Sequence, residues 1–373
     1  MARWYSRRVR IVDASVRRVA LPLRKPIRTA RTTLTEREVL IVQLVADDGT
    51  CGYGEVSSFT TDWYLPETLG DDEVLMPALL DAVRGCEFAS PREVDAVLRA
   101  VEGAQALPVA RAGVECAAWD IFARLSGMPL ARYLGFTGDK AAGGVVIPLA
   151  DTETTVCEVR AAASAGYQRV KVKIAGARDI DTLEAIRQSF PDICLLADAN
   201  GAFSEQEFGS IAHRIDALDC ACIEEPILRH PGEVLEDFYL RLKNIQERVN
   251  TPLCLDESWV NEEELRVALE IGAAGCYALK ICKLGGIGAT LEILDEAHRR
   301  GIAMWMGGMF DTGISKAAHA ALSLHPANAF AGDISDTSRY FIRDICKPAF
   351  TLRDGYLDLT HPGLGFATTS LNE

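Results

Sequence analysis

Val170-Lys171-Val172-Lys173-Ile174 reads as a buried strand carrying two amines on one side. Four more short apolar runs follow it, each delivering a charge at its C-terminal end: Leu195-Leu196-Ala197-Asp198, Ala221-Cys222-Ile223-Glu224, Cys254-Leu255-Asp256 and Tyr277-Ala278-Leu279-Lys280. Between them lie stretches with helical periodicity. Strands alternating with helices predict a parallel sheet, and charges at the C-terminal ends of parallel barrel strands meet at one mouth.

Working outward, the strand candidates are 144–149, 169–174, 193–198, 220–224, 252–256, 275–280, 302–306 and 329–333. Helical segments at 153–165, 205–216, 261–271 and 288–300 separate several of them. Eight strands suit a closed barrel. The segment before residue 139 has a different pattern. Residues 9–22 and 37–47 alternate as antiparallel strands, with a turn at Asp47-Asp48-Gly49-Thr50. From Asp71 to about Gly135 the periodicity is helical, with Ala112–Phe122 a mostly buried helix. The expected fold is α/β: a TIM-like (β/α)7β barrel over 139–345, an N-terminal α+β capping domain over 1–138, and a C-terminal segment, 346–373, packing back on the cap.

A net charge of −14 over 373 residues excludes a phosphate backbone as the partner, since that needs a basic surface. No run approaches the roughly 20 apolar residues of a membrane span, and the basic start, Arg3 to Arg10, lacks the apolar core of a signal peptide. Eleven cysteines are scattered without metal-site or disulfide spacing. They read as reduced core residues of a cytoplasmic protein. Gly285-Gly286-Ile287-Gly288 lacks the spacing of a nucleotide loop.

Asp198, Glu224 and Asp256 are candidate ligands of a hard divalent cation such as Mg2+, with Mn2+ the alternative, because such ions take carboxylate oxygens and leave positions for substrate. Lys171 and Lys173, two apart on a strand, point the same way. Mutual repulsion and burial are expected to lower their pKa toward the range of a general base. Lys280 approaches from about four strands around the ring. Lys283, beyond the strand, is expected in solvent, and Glu225 and Glu257 are expected to contact Lys or Arg. None of the six histidines ends a strand candidate.

Together these motifs resemble the enolase superfamily, in its muconate-lactonizing-enzyme subgroup. Lys171-Val172-Lys173 is similar to the KxK motif, Asp198-Ala199-Asn200 to the DAN ligand segment, Glu224-Glu225-Pro226 to E-[QE]-P, Asp256-Glu257-Ser258 to DES, and Lys280 with Gly285-Gly286 to K…GG. Finer strings resemble the branch of o-succinylbenzoate synthases and N-acylamino acid racemases: Tyr64 with Glu67-Thr68, Trp305 with Gly307-Gly308-Met309, and Gly332-Asp333-Ile334-Ser335.

The resemblance implies a Mg2+-dependent lyase or isomerase that removes the proton α to a substrate carboxylate. Lys173 would be the principal acid/base, Lys171 an electrostatic helper and Lys280 the opposite-face group. Asn200, Tyr64, Gly308, Met309, Asp311 and Asp333 would line the substrate pocket. The expected partners are a small-molecule carboxylate and a second copy of the chain in a homo-oligomer. Dehydration to o-succinylbenzoate is the leading reaction; racemisation, dipeptide epimerisation, cycloisomerisation and a barrel that only binds are the alternatives.

The pocket strings depart from the branch at Thr29-Ala30-Arg31-Thr32-Thr33, Ile147-Pro148-Leu149 and Phe310-Asp311, and the chain is longer around His230 to Val249. The loops Thr29–Thr33 and Ser57–Tyr64 are expected to close over the mouth.

Overall fold

The computed structural model describes residues 8–28, 32–366 and 368–369. In the first 135 residues, β1 (Val9–Arg28), β2 (Thr33–Ala46), β3 (Cys51–Val56) and β4 (Glu87–Phe88) form an antiparallel sheet in the order β3-β2-β1-β4. Helices α1 (Leu69–Val83), α2 (Pro91–Arg99), α3 (Pro108–Leu125) and α4 (Leu130–Tyr133) complete the cap. The predicted turn at 47–50 joins β2 to β3. Gly54 lets β3 lie directly on α3, since a Cβ there would sit 1.9 Å from the Gly113 carbonyl oxygen.

After β5 (Lys140–Ala142) the βα alternation begins. Its elements are β6 (Gly144–Ile147), α5 (Thr152–Ser164), β7 (Arg169–Lys173), α6 (Asp179–Ser189), β8 (Cys194–Asp198), α7 (Glu205–Asp216), β9 (Cys222–Glu224), α8 (Leu235–Gln246), β10 (Leu253–Leu255), α9 (Glu262–Ile271), β11 (Cys276–Leu279), α10 (Ile281–Leu284), α11 (Ile287–Arg300), β12 (Ala303–Met306) and α12 (Gly313–Leu322). Local chemistry sets the helix starts. Ser204 and Glu207 form a capping box on α7, and Asp151, Asn261 and Thr312 each accept a backbone N–H at the start of α5, α9 and α12. The strands β6 to β12 pair in parallel, in sequence order, into one curled sheet.

The expected eighth strand, 329–333, is not a strand. Residues 328–333 meet β12 and the residue before β6 through isolated bridges, Met304 with Asn328 and Gly143 with Gly332, and through backbone hydrogen bonds from Ala329 to Met304 (2.9 Å) and from Asp333 to Met306 (2.8 Å). The chain passes between the two end strands without a continuous ladder, and Gly332 allows the close approach, since a Cβ there would lie 2.5 Å from the Met306 carbonyl oxygen. The tail also differs in part from expectation. In it β13 (Cys346–Lys347) pairs with β15 (Thr368–Thr369), and β14 (Tyr356–Asp358) pairs with β5. Residues 363–366 lie on the cap: the Leu364 N–H donates to Asp120 at 2.8 Å, and the Arg124 guanidinium stacks on Phe366.

The apolar core of the cap includes Cys282 and Met309 from the barrel, so the two units share buried surface. Two buried cap carboxylates cross the seam and cap barrel helices. Glu115 of α3 accepts the N–H groups of Ile287 (2.7 Å) and Gly288 (2.9 Å) at the start of α11. Glu55 of β3 accepts from the Thr312 hydroxyl (2.7 Å) and the Ser315 N–H (3.1 Å) at the start of α12. Carboxylates at helix N-termini are favourably placed because the orphan N–H groups and the helix dipole both attract negative charge.

Candidate active site

The strand register brings the predicted charges together. Lys173 pairs with Asp198 and Asp198 with Glu224 along β7, β8 and β9, while Glu224 is level with Cys254, two residues before Asp256. Asp198, Glu224 and Asp256 are all buried. Oxygens of Glu224, Asp256 and Glu257 lie within 4.8 Å of one another, so Glu257 joins the candidate ligands. Its Oε1 also accepts from Asn200 Nδ2 at 2.6 Å. An acid following a ligand candidate at once carried no sequence signal for this, because in a strand it would face the other way. The chain leaves β10 at Leu255, before Glu257, which frees it from that alternation.

Amines surround the acids. Lys173 Nζ contacts Asp198 Oδ2 at 2.6 Å and Asn200 Oδ1 at 2.5 Å. Lys171 lies deeper, 3.0 Å from Glu224 and 3.3 Å from both Asp198 and Asp333. Lys280 meets Asp256 at 2.7 Å on the far side. Its Nζ also touches the Tyr64 hydroxyl, which donates to Asp256 Oδ1 at 3.0 Å. The Lys173 side chain keeps 31% of its surface exposed, against 5% for Lys171 and Lys280, so Lys173 is the amine most open to a ligand at the mouth.

Two expectations about lysines are corrected. Burial does work to depress Lys171 and Lys173, but the carboxylates outweigh it. Asp333, Glu224 and Asp198 hold the Lys171 ammonium well above its ordinary value, and Asp198 raises Lys173. Repulsion between the two amines is the smaller effect because each has an acid in contact. Lys283 is buried, with Nζ 2.7 Å from the Asp256 carbonyl and 3.0 Å from that of Trp259. The short helix α10 turns it back beneath the mouth, where burial lowers its pKa.

Glu225 is corrected as well. It accepts from the Asp256 N–H (2.6 Å), the Ser258 N–H (2.8 Å) and the Ser258 hydroxyl (2.5 Å), not from a Lys or Arg. It is thereby a brace for the Asp256 turn, with its carboxyl pushed up to about 8 by burial and by the nearby Glu257.

Burial, with Asp198 and Asp256 beside it, pushes Glu224 well above the usual carboxylate range, and burial with Asp256 raises Glu257. Asp256 goes the other way, because Lys280 and Lys283 overcome its burial. Two raised carboxyls made only of hard oxygen donors fit a divalent cation.

Among the pocket candidates, Asp333 is held by Arg169 at 2.6 Å and by Lys171. Asp311 is buried, accepts the Met309 N–H at 2.8 Å and lies 3.8 Å from His319. Gly308 sits between the two, with Asp311 Oδ2 3.2 Å and Asp333 Cβ 3.4 Å from where its Cβ would be. Met309 points into the cap core. Tyr64 comes in from the 57–64 segment inside an aromatic cluster with Phe59, Trp63 and Phe310. In the other expected lid, residues 29–31 lie outside the described residues.

A parallel barrel with acids and opposed amines at its mouth, under an α+β cap, defines an enolase-type enzyme. Family models agree: residues 11–135 match the mandelate racemase / muconate lactonizing enzyme N-terminal domain, and 155–370 match the enolase C-terminal domain-like family. The chain belongs to this family, whose members include synthases, racemases and epimerases. It is 34% identical to the o-succinylbenzoate synthase of Bacillus subtilis (strain 168), covering 96% of this chain and 94% of that protein. With the N-succinylamino acid racemase of Thermus thermophilus it shares 32% identity over 94% and 92% of the two chains. A crystal structure of an enolase-superfamily member from Listeria innocua Clip11262 superposes with a TM-score of 0.86 at 32% identity, covering 96% and 95%. The protein is thus an enzyme of the lyase or isomerase type acting on a small molecule. Among the described residues, no helix is long and apolar enough to cross a membrane.

Proposed function

We propose that the protein removes the proton α to a carboxylate and, in its principal reaction, dehydrates a cyclohexadiene carboxylate precursor to o-succinylbenzoate. The observation that carries this reading is the opposition of Lys173 and Lys280 across buried acids, 107 positions apart and with three strands between theirs. Asp198, Glu224 and Asp256, with Glu257 beside them, would hold a Mg2+ or Mn2+ ion, which supplies the positive charge that stabilises an enediolate.

Lys173 is the base. Its ammonium is now tied to Asp198 and Asn200, and it can give up its proton once Asp198 is engaged elsewhere. Lys171 stays charged, because Glu224, Asp198 and Asp333 all face it, and it contributes fixed positive potential near the substrate carboxylate. Lys280 does the same from the opposite face. The hydroxyl of Tyr64 fixes Lys280 against Asp256, and the aromatic cluster around it keeps water from the reacting carbon.

The curated relatives named o-succinylbenzoate synthase support dehydration as the leading reaction. Racemisation of N-succinylamino acids is the second reading. It is favoured by the placement of Lys280, which is in position to return a proton from the other face. Rates for the precursor and for N-succinylamino acids, measured with purified protein in Mg2+, test the assignment. Faster dehydration is expected; faster racemisation transfers the principal reaction to the second reading. Absence of both turnover and α-proton exchange into D2O with either substrate would remove the proton-abstraction chemistry itself.

A further inference from the structure

Directly below the acid layer, the same strands present a second set of ligand-type side chains. Side chains two apart on a strand face the same way. Cys222 therefore lies under Glu224, and Cys254 under Asp256. Cys276 is the register partner of Cys254 on the next strand, β11. Their sulfurs all lie within 4.8 Å of one another, and all three residues are buried. Their chain separations do not suggest a site; the parallel register makes one.

We propose that Cys222, Cys254 and Cys276 form a three-sulfur site for a soft, thiophilic cation in the barrel interior, separate from the carboxylate site above. Barrel layers are ordinarily filled by bulky branched side chains. Here three small, polarisable ones converge on a point. Metal–sulfur bonds of ~2.3 Å put the sulfurs of a trigonal site ~4 Å apart, which small side-chain rotations can reach from the present spacing. Thiolates select soft ions over Mg2+, so the two layers sort cations by donor type.

The surroundings suit such an ion. Trp305 directs its indole N–H at Cys254 Sγ, at 3.2 Å, giving one sulfur a hydrogen-bond donor. Over the same indole lie Lys171, 4.9 Å from the ring centre, and Arg169, 5.0 Å from it. Both cations are also paired with acids of the mouth, Lys171 with Glu224, Asp198 and Asp333 and Arg169 with Asp333, so the charge of the three sulfurs is offset chiefly by the ion they bind. Cys194, Ala221, Ala303 and Phe330, which pack against this layer, are only partly buried.

Cd2+ is the probe, titrated into Mg2+-saturated protein kept reduced with a phosphine. The expected result is a sulfur-to-metal charge-transfer band that saturates at one equivalent. It should persist in Cys86→Ser and Cys157→Ser, which remove exposed thiols, while Cys254→Ala should weaken binding at least tenfold. If Cys254→Ala fails to fold, the 113Cd resonance of the unaltered protein decides: a shift in the three-sulfur range supports the site, and a shift in the oxygen-donor range overturns it. No band at one equivalent, or a band unchanged in a folded Cys254→Ala, also overturns it.

Discussion

The barrel mouth and the seam between cap and barrel both bury carboxylates, but they satisfy them differently. At the mouth, Asp198, Glu224 and Asp256 face lysine ammoniums. At the seam, Glu55 and Glu115 face mainly helix N–H groups and a hydroxyl or indole. A backbone donor belongs to its helix and cannot leave. An ammonium on a flexible stem can exchange partners or lose a proton. The mouth is therefore suited to chemistry and the seam to holding the cap in register, although both bury their carboxylates.

The largest expected effect sits at the mouth. Lys173→Ala should reduce α-proton exchange by about 10²–10⁴-fold, the usual worth of a positioned base. The strand beneath is held by buried Val170 and Val172, so the melting temperature should change little. NMR of substrate in D2O checks the first and calorimetry the second. Retained exchange would break the contrast by moving the base elsewhere.

At the seam the same kind of deletion should act on stability instead. Glu115→Ala leaves the Ile287 and Gly288 N–H groups and the Trp119 indole without their acceptor. A loss of about 2–5 kcal/mol is expected from urea denaturation, because buried donors without partners cost about 1–3 kcal/mol each and some will find water. The turnover number of the folded fraction should stay within about twofold.

A pH series on Glu115 sharpens the comparison. Burial raises this carboxyl from 4.5 to about 7 in the folded chain. Its proton is therefore held more tightly folded than unfolded, and the associated stability is complete below about pH 4.5 and is lost as pH rises through about 7. The stability of the protein relative to Glu115→Gln, which does not titrate, should fall by about 3 kcal/mol across that window, at 1.36 kcal/mol per pKa unit. A flat difference would mean that the helix N–H groups fully offset the burial.

The smallest effect belongs to the 57–64 segment. Tyr64→Phe removes the hydroxyl that bridges Lys280 and Asp256 but keeps the ring among Phe59 and Trp63. About a tenfold fall in kcat/KM is expected, the scale of one hydrogen bond to a charged group. An unchanged value in steady-state kinetics would leave the 57–64 segment with a covering role alone.

Most of the barrel was legible because its signals are local. A short apolar run with a charge at its end declares both the strand and the end that points to the mouth, and Ser, Asp, Asn or Thr before a periodic stretch marks where a helix begins. Lys171, Lys173, Asp198, Glu224, Asp256 and Lys280 could all be picked out this way. The segment 329–333 differs from expectation because its composition suits a strand, whereas its backbone hydrogen bonds to β12 come only at Ala329 and Asp333 and make no continuous ladder.

The sequence by itself determined the first seven parallel strands, the charged residues that stand at or beside their ends, and the change from an antiparallel to a parallel pattern. Only the tertiary structure decided the sign of the lysine shifts, the burial of Lys283, the bracing by Glu225, the addition of Glu257 to the acids and the meeting of Cys222, Cys254 and Cys276. The reason is range. Periodicity and capping act over a few residues, but electrostatics and ligation depend on which side chains face each other across strands, and Lys171 meets Asp333 from 162 positions away.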